Sequence, residues 1–247
     1  MAVPASEGSH SIIYGPVAIP IGAGEYTGYL ARPDGPGTVP SVIILPGLRG
    51  IDPVAKALAR HVAKHGRAAI VLDPYRGRGP ARGADEAELA AAYAELPDGR
   101  VLGDIGEVRE YLATPDTAWT DASPSALVGI DVGGRFALLA AANRRDVAAV
   151  AALGAPLGDG DGRVSVGELV GSIAVPVLAA YGAEDDRIAR DDVDAAQEAA
   201  PHARFFVYEG TGHAFYDPGS DDYHPGAEAD VLARIRALLD QTLPLPA

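Results

Sequence analysis

Six residues, Gly129-Ile130-Asp131-Val132-Gly133-Gly134, constrain the fold of this chain more than any others. The apolar run 125–129 ahead of them predicts a strand, and the apolar run 134–142 behind them predicts a helix. A strand that turns this sharply into a helix brings the backbone close to itself. Small residues are therefore needed two positions before and two after the tip, where Gly129 and Gly133 stand. The tip is Asp131, a carboxylate where such turns usually present a serine or cysteine.

Strand and helix signals alternate from about residue 40 onward, the pattern of a mostly parallel sheet covered by helices. Ahead of that pattern, 15–21 and 25–33 read as two strands joined by Gly22-Ala23-Gly24, a hairpin at the sheet edge. Further strands are expected at 41–45, 68–73, 125–129, 147–153, 175–181 and 204–208, eight in all, with the tip after the fifth. Helices are expected at 54–65, 84–96, 103–113, 134–142, 191–199 and 226–242. The chain of 247 residues contains neither an internal repeat nor a dividing linker, so a single domain is expected. About twenty residues separate the sixth and seventh strands, too few for a helical cap domain.

Composition narrows the function classes. The formal charge of -14 argues against a nucleic-acid surface. With no cysteine, disulfides and thiol catalysis are excluded. No apolar run is long enough to span a bilayer, and residues 1–10 lack a basic region followed by an apolar one. The expectation is a cytoplasmic protein with no membrane or nucleic-acid partner, monomeric or homodimeric.

Three segments are expected to meet at the carboxyl ends of the parallel strands, where open α/β sheets place their ligands. They are the turn carrying Asp131, the acidic loop 181–186 after the seventh strand, and the loop 210–215 with His213 after the eighth. Asp185 is expected to hold the His213 imidazole in one tautomer, with Asp186 as the alternative. A fourth segment, Pro46-Gly47-Leu48-Arg49-Gly50, follows the third strand, so that the amides of Leu48 and Val132 would face a developing negative charge.

These residues, in this order, make the chain similar to the dienelactone hydrolase family of α/β-hydrolases. The shared features run from Gly24 to about Leu239 and include the hairpin start, Asp73-Pro74-Tyr75-Arg76-Gly77-Arg78, the turn at Asp131, residues 182–185, and Tyr208-Glu209-Gly210-Thr211-Gly212-His213-Ala214-Phe215. The resemblance implies a cap-less, cofactor-free α/β-hydrolase fold acting on small esters or lactones, among them carboxylate-bearing ones. It also implies an arginine near Tyr75, Arg76 or Arg78, holding the acid. Two departures stand out. The family's nucleophile is usually cysteine, sometimes serine, and here it is Asp131. Some members place a glutamate after the third strand where this chain has Gly47.

An aspartate at a helix N-terminus is expected to be ionised and to need no base for activation. In α/β-hydrolases with an aspartate nucleophile the carboxylate attacks a saturated carbon, and histidine then activates water to hydrolyse the alkyl ester. Suitable electrophiles for that attack are epoxides and alkyl halides, and the expected reaction is the opening of a strained ring such as an epoxide or lactone. Attack on an ester carbonyl would give a mixed anhydride, so simple esterase chemistry is disfavoured. Val132 follows Asp131 where dehalogenases of this kind usually carry a tryptophan, and Trp119 lies before the strand, so halide release is disfavoured too. Two rival readings stand. Asp131 is a general acid or base in a lyase, isomerase or cyclase, or the chain binds without catalysis. Proton donors for a leaving oxygen are sought among Tyr75, Tyr216, Tyr223 and Arg49.

The remaining candidates have plainer explanations. Arg76 and Arg78 can pair with surface acids instead of a substrate. His61 and His65, four apart on a helix, lack a third metal ligand, His10 and His202 read as surface residues, and His224 as a helix start. Residues 159–168 match later positions of a calcium loop, but the first ligand position falls on Leu157. A polar loop followed by a short helix is expected there, and no metal.

Overall fold

The computed structural model describes residues 8–121, 124–158 and 162–246. In chain order the elements are β1 (Ile12–Ile21), β2 (Gly24–Pro33), β3 (Ser41–Leu45), α1 (Pro53–Lys64), β4 (Ala68–Val71), α2 (Glu86–Ala94), α3 (Asp98–Leu112), β5 (Ser125–Ile130) and α4 (Val132–Asn143). There follow β6 (Val147–Leu153), α5 (Val166–Leu169), β7 (Val177–Gly182), α6 (Arg190–Ala199), β8 (Arg204–Tyr208) and α7 (Pro225–Thr242). The eight strands form one sheet in the order β1-β2-β4-β3-β5-β6-β7-β8. β1 pairs antiparallel with β2, β2 antiparallel with β4, and all other pairs are parallel. This is the α/β-hydrolase arrangement, with the expected hairpin at one edge.

Alternation along the strands loads both faces. Ile43, Leu45 and Leu127 pack against α3, α4 and α6 on one side, while Val42, Ile44 and Val128 pack against α1 and α7 on the other. A strand covered on both faces reads as a continuous apolar run, and this is why β3 and β5 are buried at every position. Each carries one serine, and the two hydroxyls of Ser41 and Ser125 satisfy each other at 2.7 Å across the strand pair.

Caps set where the helices that flank the site begin. Asp52 accepts from the Ala55 amide at 2.8 Å and Pro53 opens α1, while His224 Nδ1 accepts from the Ala227 amide at 3.1 Å and Pro225 opens α7. Several expected boundaries move. α3 begins at Asp98, directly after Pro97, and runs through Gly99 and Gly103. α4 begins at Val132, so the turn at Asp131 contains no spare residues. β1 starts at Ile12, β4 ends at Val71, and β7 covers Val177–Gly182. In the expected polar loop, residues 159–161 lie outside the described residues, and the short helix after it is α5. Among the described residues no group of three metal-ligating side chains occurs.

The turn explains its glycines sterically. A Cβ on Gly129 would collide with the Gly133 carbonyl, and one on Gly133 with the carbonyls of Leu45 and Pro46. Gly133→Ala is therefore expected to cost about 3 kcal/mol or more, read as a fall in the urea midpoint. An unchanged midpoint would mean that α4 does not sit this close to β3.

Candidate active site

Asp131 adopts φ 52° and ψ -126°, a region that non-glycine residues rarely enter. Its amide donates to the Leu153 carbonyl at 2.7 Å, and its own carbonyl accepts from Gly134 at 2.8 Å to start α4. The strained tip is thus held from both sides, and its side chain projects from the sheet's carboxyl end.

The two other loops are bound to each other before they reach Asp131. The amide of Ala183 donates to the Tyr208 carbonyl and that of Glu184 to the Thr211 carbonyl, both at 2.9 Å. Gly182 lies so close to the second loop that a Cβ there would strike the carbonyls of Thr211 and Gly212. His213 Nδ1 lies 2.9 Å from Asp185 Oδ2, and Asp185 Oδ1 accepts from the amides of Arg187 and Ile188 at 2.9 and 3.1 Å. Of the two acids considered from sequence, Asp185 is the one in contact; Asp186 is exposed. On the other side His213 Nε2 faces Asp131 Oδ1 at 3.5 Å. The result is a line of carboxylate, imidazole and carboxylate.

Burial works against a charge on His213, but the hydrogen-bonding and charge of Asp131 and Asp185 outweigh it and lift the pKa from 6.5 to about 9. For Asp185, burial acts to raise the pKa, while His213 and the two amides prevail and lower it. At neutral pH the imidazole is therefore an imidazolium. Because the folded-state pKa is raised, the stabilisation is fully present below about pH 6.5 and is lost as pH rises towards 9. It is on the order of 3 kcal/mol. Urea unfolding at pH 6 and pH 9.5 measures it, and His213→Gln should flatten the difference. An equal pH dependence in that variant would show that the imidazolium is not the source.

The loop after β3 brings one backbone amide up to Asp131. Leu48 N–H points at Asp131 Oδ2 from 3.4 Å, and the Leu48 carbonyl accepts from the Tyr75 hydroxyl at 2.8 Å, which braces the loop. Val132, the other residue expected to supply an amide, is buried as the first residue of α4. Burial first, then the charges of Asp131 and Asp73, push the Tyr75 phenol up to about 12. A Cβ on Gly47 would come within 3.2 Å of Asp131 Oδ2. A glutamate there would set like charges against each other, so Gly47 fits an aspartate at the tip.

The expected substrate-binding residues divide. Arg49 and Tyr216 line a cavity of about 410 Å³ whose floor includes Asp131, His213, Ile130 and Leu48. Arg76 is turned away: its guanidinium binds Asp104 through Nε at 3.1 Å and Nη2 at 2.5 Å, on a backbone of φ 54°. Arg78 is exposed and Tyr223 donates to Glu228 at 2.6 Å, and neither lines that cavity. Residues not singled out from sequence also form the wall, among them Asp52, Glu86, Leu89, Arg187 and Asp217. Asp52-Pro53 carried a helix-start signal that would have placed Asp52 at this end of the sheet. The others reach the cavity only through packing.

A family model described as the dienelactone hydrolase family matches residues 26–243. A Bradyrhizobium protein named "Probable 2-oxo-3-(5-oxofuran-2-ylidene)propanoate lactonase" is 29% identical over 204 residues, 80% of this chain and 82% of its own. The carboxymethylenebutenolidase of Rhodococcus opacus is 26% identical over 208 residues, 81% of this chain and 80% of that one. Among solved structures, the "Putative Dienelactone Hydrolase" of Klebsiella pneumoniae superposes with a TM-score of 0.86 at 27% identity, over 94% of this chain and 99% of that one. With the strained turn, the Asp185-bonded histidine and the eight-stranded sheet in place, the family match settles membership: this chain belongs to the dienelactone hydrolase family, hydrolases of the α/β-hydrolase fold.

Proposed function

We propose that this protein hydrolyses a small strained ring, an epoxide or lactone, through an ester formed on Asp131. The observation that carries this reading is the split environment of one carboxylate: Oδ2 faces the Leu48 amide, while Oδ1 faces His213 Nε2. Two oxygens with different partners suit two different tasks. The names of the relatives, a lactonase and a carboxymethylenebutenolidase, support a ring ester as the class of substrate.

In the first stage Asp131 Oδ1 attacks the saturated carbon bearing the ring oxygen. A new carbon–oxygen bond forms, the ring carbon–oxygen bond breaks, and the ring oxygen leaves with the electron pair. From an epoxide it leaves as an alkoxide and takes the proton of the His213 imidazolium, so no tyrosine donor from a cap is needed; from a lactone it leaves as a carboxylate, and the imidazolium gives its proton to solvent. Esterification removes the charge of Asp131 and with it part of what kept the imidazole protonated. His213, now neutral, is a base. In the second stage it takes a proton from water as that water attacks Asp131 Cγ. The negative charge that develops on Oδ2 points at the Leu48 amide. Collapse breaks the ester, the released alcohol takes the proton back from His213, and the acid formed at Asp131 returns its proton to the imidazole.

The test is isotopic. With styrene oxide and β-butyrolactone as probes, turnover in heavy-oxygen water should place label in the peptide containing Asp131 after the first cycle, read by mass spectrometry. Turnover without label in Asp131 would overturn the covalent mechanism. It would favour the reading in which the Asp131–His213 pair moves a proton in a lyase or isomerase.

A further inference from the structure

A second cavity, about 1220 Å³, lies between α1 and α7 and meets the first. Arg49, Asp52, Val54, Ile130, Tyr216 and Asp217 belong to both. From Val54, shared by both, the groove follows α1 to Lys64, roughly 15 Å at 1.5 Å per helical residue. Its opening has a sequence cause. Facing positions carry alanine, Ala57 on α1 and Ala229 and Ala233 on α7, which leaves room between the helices. The walls are apolar, with Leu58, Leu153, Val231 and Leu232.

The charges along it are sorted. At the end nearest Asp131 the groove is lined by Asp52 and Asp217 beside Arg49, with Glu228 in the first turn of α7, and the adjoining first cavity adds Glu86 and Arg187. At the far end Arg60, Lys64 and Arg236 line the groove beside His61 and His65. Burial first, then the proximity of His65, Arg236 and Lys64, lower the His61 pKa to about 4. His65 Nδ1 is engaged with the His61 carbonyl at 2.8 Å, and its Nε2 is buried without a hydrogen-bond partner. A ligand lying along this groove keeps its anionic end away from the aspartates and places it at the cations.

We infer that the α1/α7 groove is a binding site for the tail of the substrate, an unbranched aliphatic chain of about a dozen bonds that ends in a carboxylate. An extended chain advances roughly 1.2 Å per bond, so that length spans the distance from the first cavity to Lys64. The reactive ring then sits over Asp131. This rests on the proposed function for the ring, and it moves the acid-binding role from the Arg76 loop, where Asp104 occupies the guanidinium, to the far ends of α1 and α7.

The test is binding of an unreactive probe, so that it is independent of the chemistry at Asp131. Dodecanoate should bind the full chain saturably at one site by calorimetry, and butyrate at least about tenfold more weakly. The His61 imidazole should titrate at higher pH in the complex, because an anion would partly cancel the positive field around it. Ala57→Trp and Ala233→Trp, both at exposed positions and checked for native circular dichroism, should each weaken dodecanoate at least about tenfold. Lys64→Glu should weaken it severalfold. Absence of saturable binding to the unmodified protein would overturn the proposal. So would dodecan-1-ol binding as tightly as dodecanoate, or tryptophan variants that bind like the parent. Failure here leaves the isotope result at Asp131 standing, and a failed isotope test leaves this binding site standing.

Discussion

Replacing Asp131 by asparagine is expected to lower kcat by about 10⁴-fold or more, the scale seen when a nucleophile is lost from a site whose binding groups remain. The side chain is nearly isosteric, so the strained backbone at φ 52° is expected to persist. Two changes follow from the removal of one charge. The amide does not attack carbon, and His213 keeps only Asp185 as an anionic partner. The imidazole titration should therefore move down from about 9, measurable by NMR in the absence of any substrate. The two readouts are independent. Lost turnover together with an unmoved imidazole would mean that the 3.5 Å approach of Nε2 to Oδ1 does not describe the resting site. Retained turnover would remove Asp131 from the mechanism.

The second large effect is expected at His213. His213→Gln keeps a donor for Asp185, whose side chain is only 2% exposed and would otherwise be a buried, unpartnered carboxylate. It removes both the acid for the first stage and the base for the second. Turnover of the probe ring should fall by about 10³-fold. The ester, once formed, has no base to activate water, so the peptide containing Asp131 should gain the full mass of the probe and hold it. Accumulation is the informative sign, since a general acid–base mechanism without a covalent intermediate produces the same loss of rate but no mass shift. A variant that loses activity and never acquires the adduct would remove hydrolysis of an Asp131 ester by His213 from the scheme.

Much of the architecture was legible because its causes are local. A continuous apolar run such as 41–45 has few alternatives to a strand covered on both faces. Gly129 and Gly133 announce a turn in which the backbone passes within contact distance of itself. Boundaries were less legible where propensity and context disagree. The helix expected from residue 103 begins right after Pro97 in spite of Gly99 and Gly103, stabilised by the packing of Val101, Ile105 and Val108.

That Asp131, His213 and an acid on the loop after β7 come together was legible in the sequence alone, because each residue follows a strand end and parallel strands bring their carboxyl ends together. What the tertiary structure decided is which of several equivalent-looking side chains does the contacting. Asp185 and Asp186 are adjacent and chemically alike, and only the loop's backbone, through the Arg187 and Ile188 amides bound to Asp185 Oδ1, selects the first. Arg76 looked available for a substrate acid until the fold placed Asp104, 28 residues further along, against its guanidinium. The groove between α1 and α7 has no signature in either helix by itself. It exists because alanines 170 and more residues apart face one another across a gap, and long-range packing of that kind is invisible to any local reading of the chain.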